Sequence, residues 1–433
     1  MRTTIKNGQI IDPSQSLNTQ TDLHIEDDKI VAIGQAPDNF TADHEVDATN
    51  LWVLPGLVDL SVALREPGYT QKGTIASESF AAAAGGVTTL VCPPDTSPII
   101  DTPSVAALIQ DKALEAGRTN VLPIGALTKS LAGEQLSNMV ALTEAGCIAL
   151  SNHRQPMANT KVLFRALEYA ATHDILVVFH PDETSLSVGG CVHEGMMSTM
   201  HGLAGIPETA ETIALARDLI LVQKTGVKAH FARLSCAKSV EMIADAKAQG
   251  MDVTADVALH NLLLTDDVLG SFDGHYHVIP PLRSEEDRLT LIEGLKSGII
   301  TAICSDHQPH EKMAKTAPFA ATEPGMANVE ALLPLSMLLV DEGDIPLPTL
   351  LHSLTKGPAS CLGIDAGTLK VGSYADIILF DSTKKWTWSE QSKQTKGSNS
   401  PWLYNPMAEM PAGDLAGKVV ATYLAGRQVF PLH

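Results

Sequence analysis

PGLVDLSVALREPG, residues 55–68, opens a series of apolar runs rich in β-branched residues, and the number of those runs decides the fold. They are LPGLVDLSVAL (54–64), VTTLVC (87–92), NVLPIGAL (120–127), CIALS (147–151), ILVVFH (175–180), VKAHFA (227–232), DVTADVAL (252–259) and ITAICS (300–305). Helix-patterned segments separate them, among them TIASESFAAAAGG (74–86), NTKVLFRALEYAATHD (159–174), TAETIALARDLILVQKTG (209–226) and SVEMIADAKAQG (239–250). Several of these begin at Thr, Ser or Asn and end at Gly, the residues that cap helix ends. Eight strands alternating with helices predict an α/β chain folded as a (β/α)8 TIM barrel.

Outside residues 54–365 the pattern changes. TTIKNGQII (3–11), DLHIEDDKIVAIG (22–34), ADIILFD (375–381) and KVVATYLAGRQVF (418–430) alternate with a period of two, so residues 1–53 and 366–433 are expected to form one composite β-sandwich. The stretch Lys384 to Met410 has no period and reads as an extended loop within that sandwich.

The composition of the 433 residues, 44% hydrophobic and 18% charged, is that of a folded globular protein. A formal net charge of −20 excludes a nucleic-acid partner or an anionic membrane surface as the expectation. The first twenty residues contain no apolar core of a signal peptide, and no later stretch is long and apolar enough to span a membrane, so a cytoplasmic location is expected. Six scattered cysteines without a C-x-x-C pair read as free, buried thiols.

Active sites of TIM barrels lie at the C-terminal ends of the strands, so the residues that finish each run carry the chemistry. PGLVDLSVALREPG and AAAAGGVTTLVCPPDTSP (81–98) closely resemble dihydroorotase, the zinc enzyme that cyclises carbamoyl aspartate. So do LSNHRQPMANTKVLFRALEYA (150–170), HPDETSL (180–186), GIPETAE (205–211), PPLRSEEDR (280–288) and SDHQPH (305–310). The resemblance covers essentially the whole chain and implies a barrel of the amidohydrolase type.

The resemblance also shows where this chain departs. The family's first strand ends in a His-x-His pair, two imidazoles on one strand face gripping one metal; the matching positions here are Ser61 and Ala63. A carboxylate or carboxylated lysine after the fourth strand bridges two metals in the family, and this chain has Ser151, Asn152, His153 and Arg154 there. His180, His230 and Asp306 keep the family's ligand types, Asp306 standing at the general-base position. In the substrate pocket Arg65 and His310 are retained, Asp95 replaces an asparagine that binds the substrate carboxylate, Ile279 replaces the asparagine before two prolines, and Asn261 replaces a histidine.

A dinuclear centre is therefore not expected, and no cofactor is expected. The alternative is one zinc held by His153, His180 and His230 with Asp306 beside it, since three histidines are a known catalytic zinc set. Without metal, Asp306 is expected to pair with Arg65, Arg154 or a histidine. His260 is expected to be a satisfied polar group in the barrel, and Trp386, Trp388 and Trp402 are expected to pack near the C-terminal sandwich.

The resemblance is strongest to noncatalytic dihydroorotase-like chains that associate with aspartate carbamoyltransferase catalytic chains, which implies a structural subunit and a homo-oligomer. Two other readings stay open: a cyclic-amide hydrolase with one zinc, and a small-molecule sensor with Arg65 as carboxylate anchor.

Overall fold

The computed structural model describes residues 1–403 and 413–431. Eight parallel strands form one sheet: β1 (Leu57–Asp59), β2 (Val87–Cys92), β3 (Asn120–Ala126), β4 (Ala149–Ser151), β5 (Val177–Phe179), β6 (Ala229–Phe231), β7 (Val253–Ala258) and β8 (Ala302–Cys304), each hydrogen-bonded to the next in chain order. The two ends of the sheet meet just beyond β1 and β8. There Val62 bridges His307 in parallel, Ala63 N–H donates to His307 O at 2.8 Å, and His307 N–H donates to Ser61 O at 3.0 Å. Ser61 and Ala63 thus help to close the barrel through their backbones.

The strands read as continuous apolar runs because helices cover their outer faces, leaving β2 buried at all six positions. Helix Ile75–Ala84 is capped by Thr74, whose hydroxyl accepts from Ser77 N, and helix Thr160–Thr172 by Asn159. Two expected starts were late. Helix Glu208–Thr225 begins after Pro207, and helix Ala237–Ala248 after Cys236, neither with a side-chain cap from the preceding residue. A distant carboxylate caps the second instead: Asp287 accepts from Ala237 N at 2.8 Å. The sequence around a helix does not reveal a cap supplied from elsewhere in the fold.

Both chain ends build one mixed sheet of eight strands. Trp52–Pro55 pairs antiparallel with Ile377–Phe380, joining the N-terminal strands to Ile377–Thr387, Asp414–Leu424 and Arg427–Phe430. Ile5, Ile10, Leu23, Ile25, Val53, Ile377 and Leu379 form its core. Trp388 is buried, and Trp386 Nε1 donates to Gly417 O at 2.9 Å.

The loop expectation for Lys384 to Met410 needs correction at two places. Lys384–Thr387 belong to a strand, and the following segment leaves the terminal sheet for the barrel mouth, where Thr395 Oγ1 donates to Glu78 and Asn399 Oδ1 accepts from His310 N. Residues 404–410 of that stretch lie outside the described residues. Among the described residues no helix is long and apolar enough to cross a membrane, and all six cysteines are free and buried.

Candidate functional site

The strand ends bring four residues with positive φ to one rim: Arg65 (62°), His153 (49°), Arg233 (57°) and Asp306 (44°). Non-glycine residues hold this conformation only where the surroundings over-determine it, and such positions gather at functional sites.

Asp306 is the centre. One terminal nitrogen of Arg154 donates to both of its oxygens, at 2.8 and 2.7 Å; Ser61 Oγ donates to Oδ1 at 3.0 Å and Gln308 Nε2 to Oδ2 at 3.1 Å. The other terminal nitrogen of Arg154 donates to the backbone carbonyl of Ile279. Arg233 donates to Ser61 Oγ at 3.0 Å, with its Nε 3.7 Å from Asp306. Burial alone would raise the pKa of this carboxyl, but the Arg154 and Arg233 guanidiniums hold it far below the usual carboxylate range. Asp306 is therefore an anion at neutral pH, paired with two cations that belong to the chain.

His230 does not join it. Its Nδ1 bonds Thr254 Oγ1 at 2.8 Å and its Nε2 bonds Asp256 Oδ2 at 2.7 Å. Burial opposes a charge on this ring, but the Cys361 thiol and the Asp256 carboxylate outweigh it and push the pKa up to about 10. With both nitrogens engaged, this ring offers no free lone pair to a metal.

His153 and His180 behave oppositely. Burial, reinforced by Arg233 and Arg154, drives both well below the ordinary histidine value, so both are neutral. His153 Nε2 lies 3.7 Å from Asp95, and His180 Nδ1 is buried with no hydrogen-bond partner among the described residues.

His260 departs from expectation: it is fully buried and neither ring nitrogen has a partner among the described residues. Burial lowers its pKa to about 4. Unpaired buried polar atoms cost roughly 1–3 kcal/mol each, so this ring is a weak point and not a satisfied core group.

The substrate-pocket positions form a second cluster. Arg65 Nε donates to Pro309 O at 3.2 Å and its Nη2 lies 3.1 Å from His310 Nε2; Lys72 reaches His310 Nδ1 at 3.1 Å and pairs with Glu323. Asp95 attracts Arg65 electrostatically, so a carboxylate of the chain already faces the cation that would anchor a substrate carboxylate.

The donor set does not fit two divalent cations. Ser61 and Ala63 supply no imidazole, Arg154 occupies Asp306, and His230 is held inside the barrel. The three-histidine set is not assembled either: among the described residues no three His, Cys, Asp or Glu side chains come together as metal ligands. Sequence reading missed Arg233, Gln308 and Asp256. Its available signal was a charge inside or beside an apolar strand, as in VTADVA for Asp256 and HFAR for Arg233.

Comparison with known proteins places the chain in a family. Residues 51–239 match the family model described as Dihydro-orotase-like. A dihydroorotase-like protein of Pseudomonas aeruginosa is 54% identical over 403 residues, covering 93% of this chain and 95% of that one. A dihydroorotase of Trichlorobacter lovleyi is 38% identical over 430 residues, 99% of each chain. Among solved structures, the L-hydantoinase of Arthrobacter aurescens matches with a TM-score of 0.85 at 24% identity, covering 98% of this chain and 95% of that one, which is a likeness of fold. By sequence, the chain belongs to the dihydroorotase-like family.

Proposed function

We propose that this chain does not cyclise carbamoyl aspartate and serves as a structural subunit for the catalytic chain of aspartate carbamoyltransferase, as a cytoplasmic homo-oligomer. One observation carries the first half: the Arg154 guanidinium sits on both oxygens of Asp306. A catalytic metal lowers the pKa of bound water from 15.7 to about 7 and polarises the scissile carbonyl. A guanidinium gives up no proton near neutrality and cannot present a hydroxide. With its pair to Arg154, Asp306 is also too weak a base to take a proton from water.

The second half rests on resemblance to noncatalytic chains of this kind and on the division between rim and scaffold, since outer surfaces can be kept for an interface while the mouth changes. Apolar side chains stand exposed for such an interface, among them Val188 at 75%, Met196 at 74% and Met200 at 66%.

The test is metal analysis and assay of the purified chain in both directions of the dihydroorotase reaction, then co-expression with an aspartate carbamoyltransferase catalytic chain. No stoichiometric zinc, no turnover and a stable co-purifying complex support the reading. Two zinc ions with robust turnover, or two chains that elute separately, defeat it.

A further inference from the structure

A groove of about 530 Å³ runs between the barrel and the terminal sheet. Asn120 to Leu122, which begin β3, line it, so it lies at the strand starts and away from the mouth. Its other walls are helix Pro103–Ala116, the segment after helix Lys356–Leu362, and the turn between strands Asp414–Leu424 and Arg427–Phe430. Small-molecule sites occupy roughly 300–1,000 Å³ and favour such junctions between structural units.

The groove has an apolar wall and one buried acid. Leu114, Leu122, Ile364, Tyr374 and Leu424 make the wall, with Leu114 79% and Tyr374 48% exposed. The acid is Asp376, which lines the groove and is 8% exposed. Its Oδ1 accepts from Ala425 N at 2.8 Å. Its Oδ2 has no hydrogen-bond partner among the described residues and is not sealed, so it opens onto the groove.

The nearby cations of the chain are engaged elsewhere. Arg427 Nη2 donates to Gly117 O at 2.9 Å, and Lys29 Nζ lies 3.1 Å from the centre of the Tyr374 ring, attracting Asp376 only from a distance. Asp365, exposed on the same lining, adds a second carboxylate. Burial pushes Asp376 up to about 6, which leaves it an anion at neutral pH.

We propose that this groove binds a small amine: an aromatic or branched apolar body with one primary ammonium that donates to Asp376 Oδ2. The ammonium supplies a charge-assisted donor to an oxygen that has none. The apolar body covers Leu114, Leu122 and Tyr374, removing their surface from water. A carboxylate ligand would meet Asp376 and Asp365 and be repelled.

The experiment follows thermal unfolding of the full chain, slightly above neutral pH, during titration with benzylamine hydrochloride, benzyl alcohol or sodium benzoate at equal ionic strength. A ligand that binds only the folded state raises the melting temperature by an amount set by its concentration relative to Kd. We expect benzylamine to raise it, benzyl alcohol to act about tenfold more weakly or less, and benzoate to have no effect. Asp376→Asn keeps an acceptor for Ala425 N and should reduce the benzylamine response to that of benzyl alcohol.

If that variant does not fold, Leu114→Lys decides: the position is exposed, so the fold tolerates the change, while the wall loses an apolar side chain and gains a charge that repels the amine. It should abolish the benzylamine response. The proposal is overturned by no response to benzylamine, by an equal response to benzyl alcohol or benzoate, or by an undiminished response in the variant that decides. None of these outcomes touches the function proposed above, which rests on the opposite end of the barrel.

Discussion

His307 and Glu78, 229 residues apart, form a pair with neither side chain exposed to solvent, Nε2 donating to the carboxylate at 2.9 Å. The direction is fixed because Val329 N–H donates to Nδ1 of the same ring at 3.3 Å. Glu78 also accepts from Thr395 Oγ1 and Lys396 N, tying helix Ile75–Ala84, the barrel closure at His307 and the segment after Trp388 to one carboxylate.

Removing Glu78 leaves three donors buried without an acceptor. Glu78→Ala should destabilise the chain by about 3–5 kcal/mol, read as a lower midpoint in urea unfolding with an unchanged slope. A midpoint within error of the parent would show that the pair does not hold these elements together.

Acid should weaken the fold through the same kind of group. Burial alone would raise the pKa of Glu78, but its bonds to His307 and Thr395 hold it below 4.5, and Arg154 and Arg233 hold Asp306 below 3.8. A carboxyl depressed in the folded state gives stability that is present above its unfolded value and is lost as pH falls through the folded value. Melting temperature should therefore fall as pH drops past 4.5 and fall further below 3.8, with the lower portion absent in Asp306→Asn.

Two buried carboxyls act in the opposite sense. Burial pushes Asp59 and Glu330 up to about 7. A raised folded pKa gives stability that is complete below the unfolded value and is lost as pH rises through the folded one. Stability should decline between about pH 4 and 7, and Asp59→Asn should flatten that decline while keeping an acceptor for Ser61 N and Ser305 N. Unchanged pH dependence in that variant would count against the assignment to Asp59.

Arg154→Met strands the buried Asp306 charge and should cost about 3–5 kcal/mol. Arg154→Met with Asp306→Leu removes charge and partner together and should recover most of that loss, a coupling measurable by a double-mutant cycle in urea. Additive losses would mean that the two side chains do not depend on each other.

Restoring imidazoles alone should not restore a metal centre. Ser61→His with Ala63→His leaves Arg154 on Asp306 and His230 on Asp256, so this double variant should purify without zinc. Adding Arg154→Ala frees Asp306 as a third ligand beside the two new histidines and should allow zinc uptake, measured by elemental analysis.

Much of this molecule was legible in the chain. Eight β-branched runs separated by amphipathic segments match the strand number of a (β/α)8 barrel, whose strands are covered on both faces. Through the family resemblance, Ser61 and Ala63 stood where imidazoles were expected, and neither residue type supplies one. What the sequence left open was direction. Asp306 had Arg65, Arg154 and histidines as possible partners, and His230 could have turned to the mouth or to Asp256.

Sequence by itself determined which elements form, because they follow from local periodicity, and its resemblance to dihydroorotases implied that Ser61 and Ala63 stand where the family has metal ligands. Only tertiary structure decided that Arg154 covers Asp306, that His230 is locked to Asp256, and that His260 has no hydrogen-bond partner among the described residues. Those outcomes depend on which charges the closed barrel brings within hydrogen-bonding distance, and residues 152 positions apart carry no mark of that meeting in the chain.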